Sequence, residues 1–196
     1  IENKDIEIAN NLNFRIKLLG ITEIINNDLF ERVHPCLVKK DTYIGNVNGV
    51  MNAVVVYGAP VGESVLQGEG AGPGPTSSAL MSDLLSILRG NIKFPFGVSS
   101  NKRSSISSYD VKKYSNSLYL RFEVNDKPGV LSQITRSLAF ANISIERLIQ
   151  IPDHKNKKAS IIIITHQTIE HNANKCLKSL KANANILKIP TRIRLF

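Results

Sequence analysis

"NDKPGVLSQITRSLAFANISIERL", residues 125–148, sets the architecture of the C-terminal half of this 196-residue chain. Pro128 and Gly129 reverse the chain just after an acidic residue, Asp126. Behind them Val130, Leu131, Ile134, Leu138 and Ala139 recur at helical spacing, so the spacing predicts a helix with one apolar face. On both sides the period changes to two. "SLYLRFEVND" before it alternates as a strand, and "SIERLIQIPD" and "KKASIIIITHQ" after it read as two more strands around a charged turn. "TIEHNANKCLKSLKAN" returns to helical spacing through Ile169, Ala173, Cys176, Leu177 and Leu180, and "ANILKIPTRIRLF" closes as a strand. The order βαββαβ is the ferredoxin-like pattern, two helices on one face of an antiparallel sheet.

Before this unit, residues 99–117 ("SSNKRSSISSYDVKKYSNS") are Ser-, Lys- and Asn-rich and read as a linker. The fold class is therefore α+β. Residues 1–98 read as an α/β stretch with a mixed sheet and helices, and residues 118–196 as the ferredoxin-like unit. In the first part, residues 14–24 form a strand and "ERVHPCLVKK" a second extended segment, broken by Pro35. Residues 53–57 form a β-branched strand, "APVG" a turn, and "ESVLQG" the hairpin partner. The glycine-rich stretch "GEGAGPGPTSS" follows, then a helix capped by Thr76 or Ser77, striped with Leu80, Leu84, Ile87 and Leu88, and stopped at Gly90. The opening "IENKDIEIANNLNF" reads as the inside of a domain, and the first residue is Ile, so the chain is expected to be a fragment lacking an N-terminal part.

Composition excludes several classes. The net charge of +9 would suit a polyanion, but the basic residues are scattered. Five Tyr, seven Phe and no Trp do not interleave with them as a stacking platform, so no nucleic-acid partner is expected. No apolar run reaches membrane-spanning length and no signal peptide opens the chain, so no membrane partner is expected. Cys36 and Cys176 are isolated, which fits neither a disulfide framework nor a zinc site, and reduced thiols point to the cytoplasm. No metal is expected.

Two stretches carry candidate chemistry. A helix beginning after Gly129 offers backbone N–H groups and the positive end of its dipole, which suit a carboxylate. Asn125 and Asp126 could hold an ammonium group. The plainer reading is that Asp126 caps a turn and Gly129 serves the reversal. The glycine-rich stretch matches neither a Walker loop, which ends Gly-Lys-Ser/Thr, nor a dinucleotide fingerprint, because Gly74 arrives one position early after Gly70 and Gly72. Its glycines serve a tight loop, a close approach of backbone to a ligand, or both. His34, Cys36, Asp83 and the Lys39–Lys40 pair form no triad or metal set and read as structural or surface residues.

Residues 119–196, with Asp126, Pro128, Gly129, Val130 and Leu131 in the first strand–helix turn and "ANISIERL" after the helix, resemble an ACT domain. That resemblance implies an amino-acid-binding regulatory module paired side by side with a second copy, with Asn125, Asp126, Gly129 and Val130 at the effector. Residues 16–20, His34-Pro35, 46–57 and 70–83 resemble, in order, the C-terminal part of the homoserine dehydrogenase catalytic domain, many members of which end in an ACT domain. The resemblance implies interconversion of L-homoserine and L-aspartate 4-semialdehyde with NADP or NAD, in threonine, methionine and isoleucine biosynthesis. It places Gly72 against the cofactor with Gly70, Ala71 and Thr76 as neighbours, and threonine as effector of a homodimer or homotetramer. The catalytic lysine of that family is expected upstream of Ile1, so no catalytic residue is assigned here, and Lys17 lies in a strand pattern. The alternative is a non-catalytic amino-acid-sensing regulatory protein.

Overall fold

The computed structural model describes residues 1–91 and 97–196. Its elements run α1 (Asn3–Asn11), β1 (Phe14–Ile25), β2 (Asp28–Lys39), β3 (Met51–Gly58), β4 (Gly62–Glu69), α2 (Pro73–Leu88), β5 (Ser115–Asn116), β6 (Leu118–Asn125), α3 (Val130–Phe140), β7 (Ile145–Asp153), β8 (Lys158–Thr165), β9 (Thr168–Ile169), α4 (Glu170–Leu180) and β10 (Thr191–Leu195). The βαββαβ order of the C-terminal half is present as read.

Packing divides the chain differently from its sequential order. One compact unit joins Ile1–Lys39 to Ser107–Phe196, and the other is Lys40–Ile106. The cause is a single six-stranded sheet in the order β1-β2-β10-β6-β8-β7. The β1–β2 hairpin extends the C-terminal sheet, because β10 pairs with β6 antiparallel on one side and with β2 parallel on the other. A boundary at residues 98 and 118 therefore does not separate the contacts. The end of the expected linker also packs here, with Leu29 and Tyr109 joined by a 2.8 Å backbone bond and Phe30 stacked on Tyr114 at 4.0 Å.

The sheet buries both faces. On one, Leu118, Leu120, Phe122, Ala159, Ile161 and Ile163 pack under α3 and α4. On the other, Tyr119, Ile162, Ile193 and Leu37 pack with Ile8 and Ala9 of α1. This two-sided burial explains the unbroken run Ile161–Ile164 in β8, where strict alternation would have left every second residue wet. From α3, Val130, Ile134 and Leu138 are buried and Leu131 is partly buried, whereas Ala139 is exposed. Ile169, expected inside the second helix, is instead the exposed residue before its first turn.

Three local expectations are corrected. The first eleven residues, left unassigned, contain α1; the Asp5 carboxylate accepts the Glu2 N–H at 2.7 Å and closes its first turn. Pro35 does not break β2, which runs through it opposite Leu18, one residue short of the pairing with β10. In the second unit, α2 begins at Pro73 rather than at Thr76. Thr76 and Ser77 lie within its first turns, and their hydroxyls donate back to the carbonyls of Gly72 (2.7 Å) and Gly74 (3.0 Å). The C-terminal stop at Gly90 is as read: φ is +73°, and Asn91 N–H reaches the Ser86 carbonyl at 3.0 Å. The stripe Leu80, Leu84, Ile87, Leu88 exists, but no residue of α2 is buried.

Candidate functional site

The strand–helix turn after β6 encloses a cavity of about 390 Å³. Its lining runs continuously from Val124 to Leu131 and is completed by Gln150 of β7 and Ile161 of β8. The turn is held at both ends by backbone bonds. Asn125 N–H donates to the Asn185 carbonyl and Asp126 N–H to that of Lys157, each at 3.0 Å. Gly129 adopts a left-handed conformation, φ +86°, that a side chain would strain even though a Cβ there would meet nothing within 4 Å. The glycine is therefore required by the backbone, and it aims the N-terminal turn of α3 at the cavity. The first amides of a helix have no intrahelical partner and sit at its positive end.

The predicted residues Asn125, Asp126, Gly129 and Val130 all come together in this lining. Their roles separate. Asp126 is exposed and its carboxylate accepts a 3.4 Å bond from Gln150. Val130 is buried in the core cluster and also lines the cavity. Gln150 was not foreseen. It comes from the neighbouring strand region, and its only sequence signal is its place on the β7 side of the unit. The site can hold a small zwitterion, with carboxylate at the helix amides and ammonium at Asp126.

The glycine-rich loop lies in the second unit, Lys40–Ile106. Gly72 has φ +120° and ψ 157°, a region only glycine occupies without strain, and it is the residue before α2. At Gly70 a Cβ would stand 1.9 Å from Asn52 Nδ2, and both Gly70 N–H and Asn52 Nδ2 donate to the Val50 carbonyl at 3.2 Å. Gly70, Ala71, Gly72 and Thr76 are exposed and adjacent. Bare backbone at the N-terminus of a 16-residue helix fits an edge contact with an anionic cofactor; it does not form a closed cradle.

Two clusters escaped the sequence reading. Arg121, wholly buried, binds Asp5 through Nε at 2.6 Å and also pairs with Glu2 and Glu123. Burial pushes the Asp5 carboxyl up, but the Arg121 hydrogen bond and the other contacts win and hold it below the usual range. Glu170, at the start of α4, is 3% exposed and meets Arg32 (3.0 Å), Arg192 (3.5 Å) and Arg194. Burial raises its pKa; the Arg194 hydrogen bond and the charges of Arg194, Arg192 and Arg32 outweigh it and bring it to about 2. His34 and Cys36 do share a strand face, with Sγ 3.1 Å from Nδ1. Burial pushes the thiols of Cys36 and Cys176 up to about 11, so both stay protonated at neutral pH. Among the described residues no group of three His, Cys, Asp or Glu could hold a metal, and no helix is long and apolar enough to cross a membrane.

Comparison with known proteins adds to this geometry. Residues 1–85 match the family model described as homoserine dehydrogenase, and residues 118–185 match that of the ACT domain. A homoserine dehydrogenase of Neisseria gonorrhoeae is 36% identical over all of this chain, and one of Helicobacter pylori is 35% identical. A crystal structure of a homoserine dehydrogenase from Thiobacillus denitrificans superposes with a TM-score of 0.87 at 34% identity, again over the whole chain. The chain spans about half, 46%, of the length of each of these relatives. A Staphylococcus aureus homoserine dehydrogenase at 22% identity and TM-score 0.60 shares the fold.

Proposed function

We propose, since residues 1–85 match the homoserine dehydrogenase family model and residues 118–185 that of the ACT domain, that this chain is the substrate-domain end and regulatory domain of an NAD(P)-dependent enzyme interconverting L-homoserine and L-aspartate 4-semialdehyde. Residues 1–98 contribute the end of the catalytic part and residues 118–196 the regulatory part. The nicotinamide cofactor, NADP or NAD, supplies hydride transfer when bound. This chain's own part is a contact at Gly72, with Gly70, Ala71 and Thr76 shaping the loop; the glycine-only backbone at Gly72 supports that reading. The setting is cytoplasmic amino-acid biosynthesis.

The observation that carries the regulatory reading is the cavity at the β6–α3 turn, where a helix start and the Asp126 carboxylate face one small space. We assign it to an amino-acid effector, threonine, held at Asn125, Asp126, Gly129 and Val130. Its inhibition would act by preferring one of two states of a homodimer or homotetramer. The edge strand β7, paired among the described residues with β8 alone, is where a second copy would lie. Calorimetric titration of the chain with L-threonine, then with other amino acids derived from aspartate, tests this. Saturable threonine binding lost in Asp126→Ala is expected. Folded chain that binds none of them overturns the effector assignment. A homoserine-dependent reduction of NAD(P) by the whole protein separates the enzyme from a non-catalytic sensor.

A further inference from the structure

The Arg32, Arg192, Arg194 cluster lies at the other end of β6 from the amino-acid cavity. Asn116, just before β6, donates to Glu170 at 3.2 Å, whereas Asn125 at its far end lines the cavity. Nine residues of strand put about 30 Å between them. Three guanidinium groups here face a single ion-paired carboxylate, Glu170, so the cluster carries a surplus of two positive charges. Alternation along the strands puts more charge on the same sheet face: Lys17 stands opposite Cys36, and Cys36 opposite Arg194. The one further acid on that face along β1 is Glu23, which accepts a bond from Tyr114 at 3.0 Å.

The guanidinium groups are held in place rather than waving in solvent. Arg32 lies over the Phe30 ring at 5.5 Å, and that ring is stacked on Tyr114. Arg192 Nη1 donates to Asn174 at 2.6 Å. Each arginine spends only part of its donor fork: Arg32 and Arg192 bind through Nη1, and Arg194 through Nε. Their remaining N–H groups have no protein partner among the described residues. The side chains are 15%, 26% and 15% exposed, enough for a small ion to reach. Two neighbouring polar atoms, Asn116 Oδ1 and Thr168 Oγ1, are buried without a partner.

We propose that Arg32, Arg192 and Arg194 form a binding site for a small tetrahedral oxyanion dianion, an inorganic phosphate or a phosphate monoester, braced from beneath by Glu170. A dianion balances the surplus of two charges. Its oxygens point in several directions at once, which matches forks arriving from two different strands better than a planar carboxylate does. The buried Glu170 fixes one edge of the cluster and leaves the opposite edges for the ligand.

The test is calorimetric titration of the full chain with inorganic phosphate, glycerol phosphate and succinate at constant ionic strength in chloride. Saturable phosphate binding, weakened about tenfold or more in Arg192→Gln, is expected. Arg192 is the most exposed of the three, so its replacement disturbs packing least, and circular dichroism checks the fold. Tighter binding of glycerol phosphate than of inorganic phosphate identifies an ester as the source, and the reverse identifies the free ion. Preference for succinate, or equal binding by Arg192→Gln, overturns the proposal. A second readout needs no variant: phosphate should protect Arg32, Arg192 and Arg194 from phenylglyoxal, located by mass spectrometry. Equal labelling with and without phosphate also overturns it. Threonine titration reads a different site, so failure of either reading leaves the other standing.

Discussion

Glu170 shows how one residue changes its meaning with its surroundings. At the first turn of a helix, an acid that complements the dipole needs no further explanation. Buried beside three arginines, its pKa falls from 4.5 to about 2. A carboxyl whose folded pKa is depressed stabilises the fold fully above its unfolded pKa and loses that contribution as pH falls through the folded value. The window is therefore from about 4.5 down to about 2, and the contribution is on the order of 3 kcal/mol. Urea unfolding of the native chain and of Glu170→Gln should differ most above pH 4.5 and converge toward pH 2. A constant difference across that range would show that the charge is not what matters. In the sequence, Glu170 is one unremarked acid inside a helical pattern. Arg32 is 138 positions away, and no local pattern brings it near.

At the scale of elements, α1 is the instructive case. It is short and largely polar, with only Ile6, Ile8 and Ala9 apolar, and it was left unassigned. What fixes it is Asp5, which reaches Arg121 across 116 positions and accepts the Tyr119 hydroxyl at 3.1 Å. Removing the carboxylate in Asp5→Ala leaves a guanidinium inside the protein with less compensation. The expected cost is about 3 kcal/mol, read as a lower urea midpoint, with far-UV circular dichroism losing helical signal as α1 unfolds. The helices and strands of the C-terminal unit were legible because period and burial agree there: α3 buries Val130, Ile134 and Leu138 as spaced. Ala139 was misjudged because a small apolar residue at the margin of a stripe says little about which way the helix is turned. Thr76 or Ser77 was taken for a cap because the chemistry of either suits one. The chain instead begins α2 at Pro73, whose fixed φ is already helical and whose missing N–H loses nothing at that position.

For the whole molecule, the cavity at the β6–α3 turn was legible in sequence because all but two of its lining residues are consecutive. The arginine cluster was not, because it is assembled from β2, β10 and α4, which come together only through the sheet order. The unit Lys40–Ile106 contrasts with its neighbour in sequence. Leu80 is 66% exposed, Leu88 73% and Val54 58%. Apolar surface on this scale binds hydrophobic dyes. The folded chain should raise anilinonaphthalene sulfonate fluorescence, and the double variant Leu80→Glu, Leu84→Glu should lower that signal with no loss of secondary structure. An unchanged signal would place the dye elsewhere.

The position of β10 bears on how the protein is made. This five-residue strand lies between β2 and β6 and, among the described residues, is the one strand joining the early hairpin to the later sheet. It is also the last of the six strands to leave the ribosome. Until it emerges, β1 and β2 have each other but no sheet to join, and β6 has one open side. Until then the two parts meet through contacts other than strand pairing, such as Leu29 with Tyr109 and Asp5 with Arg121. The six-stranded order can be completed only with β10, the strand that also brings Arg192 and Arg194 beside Glu170.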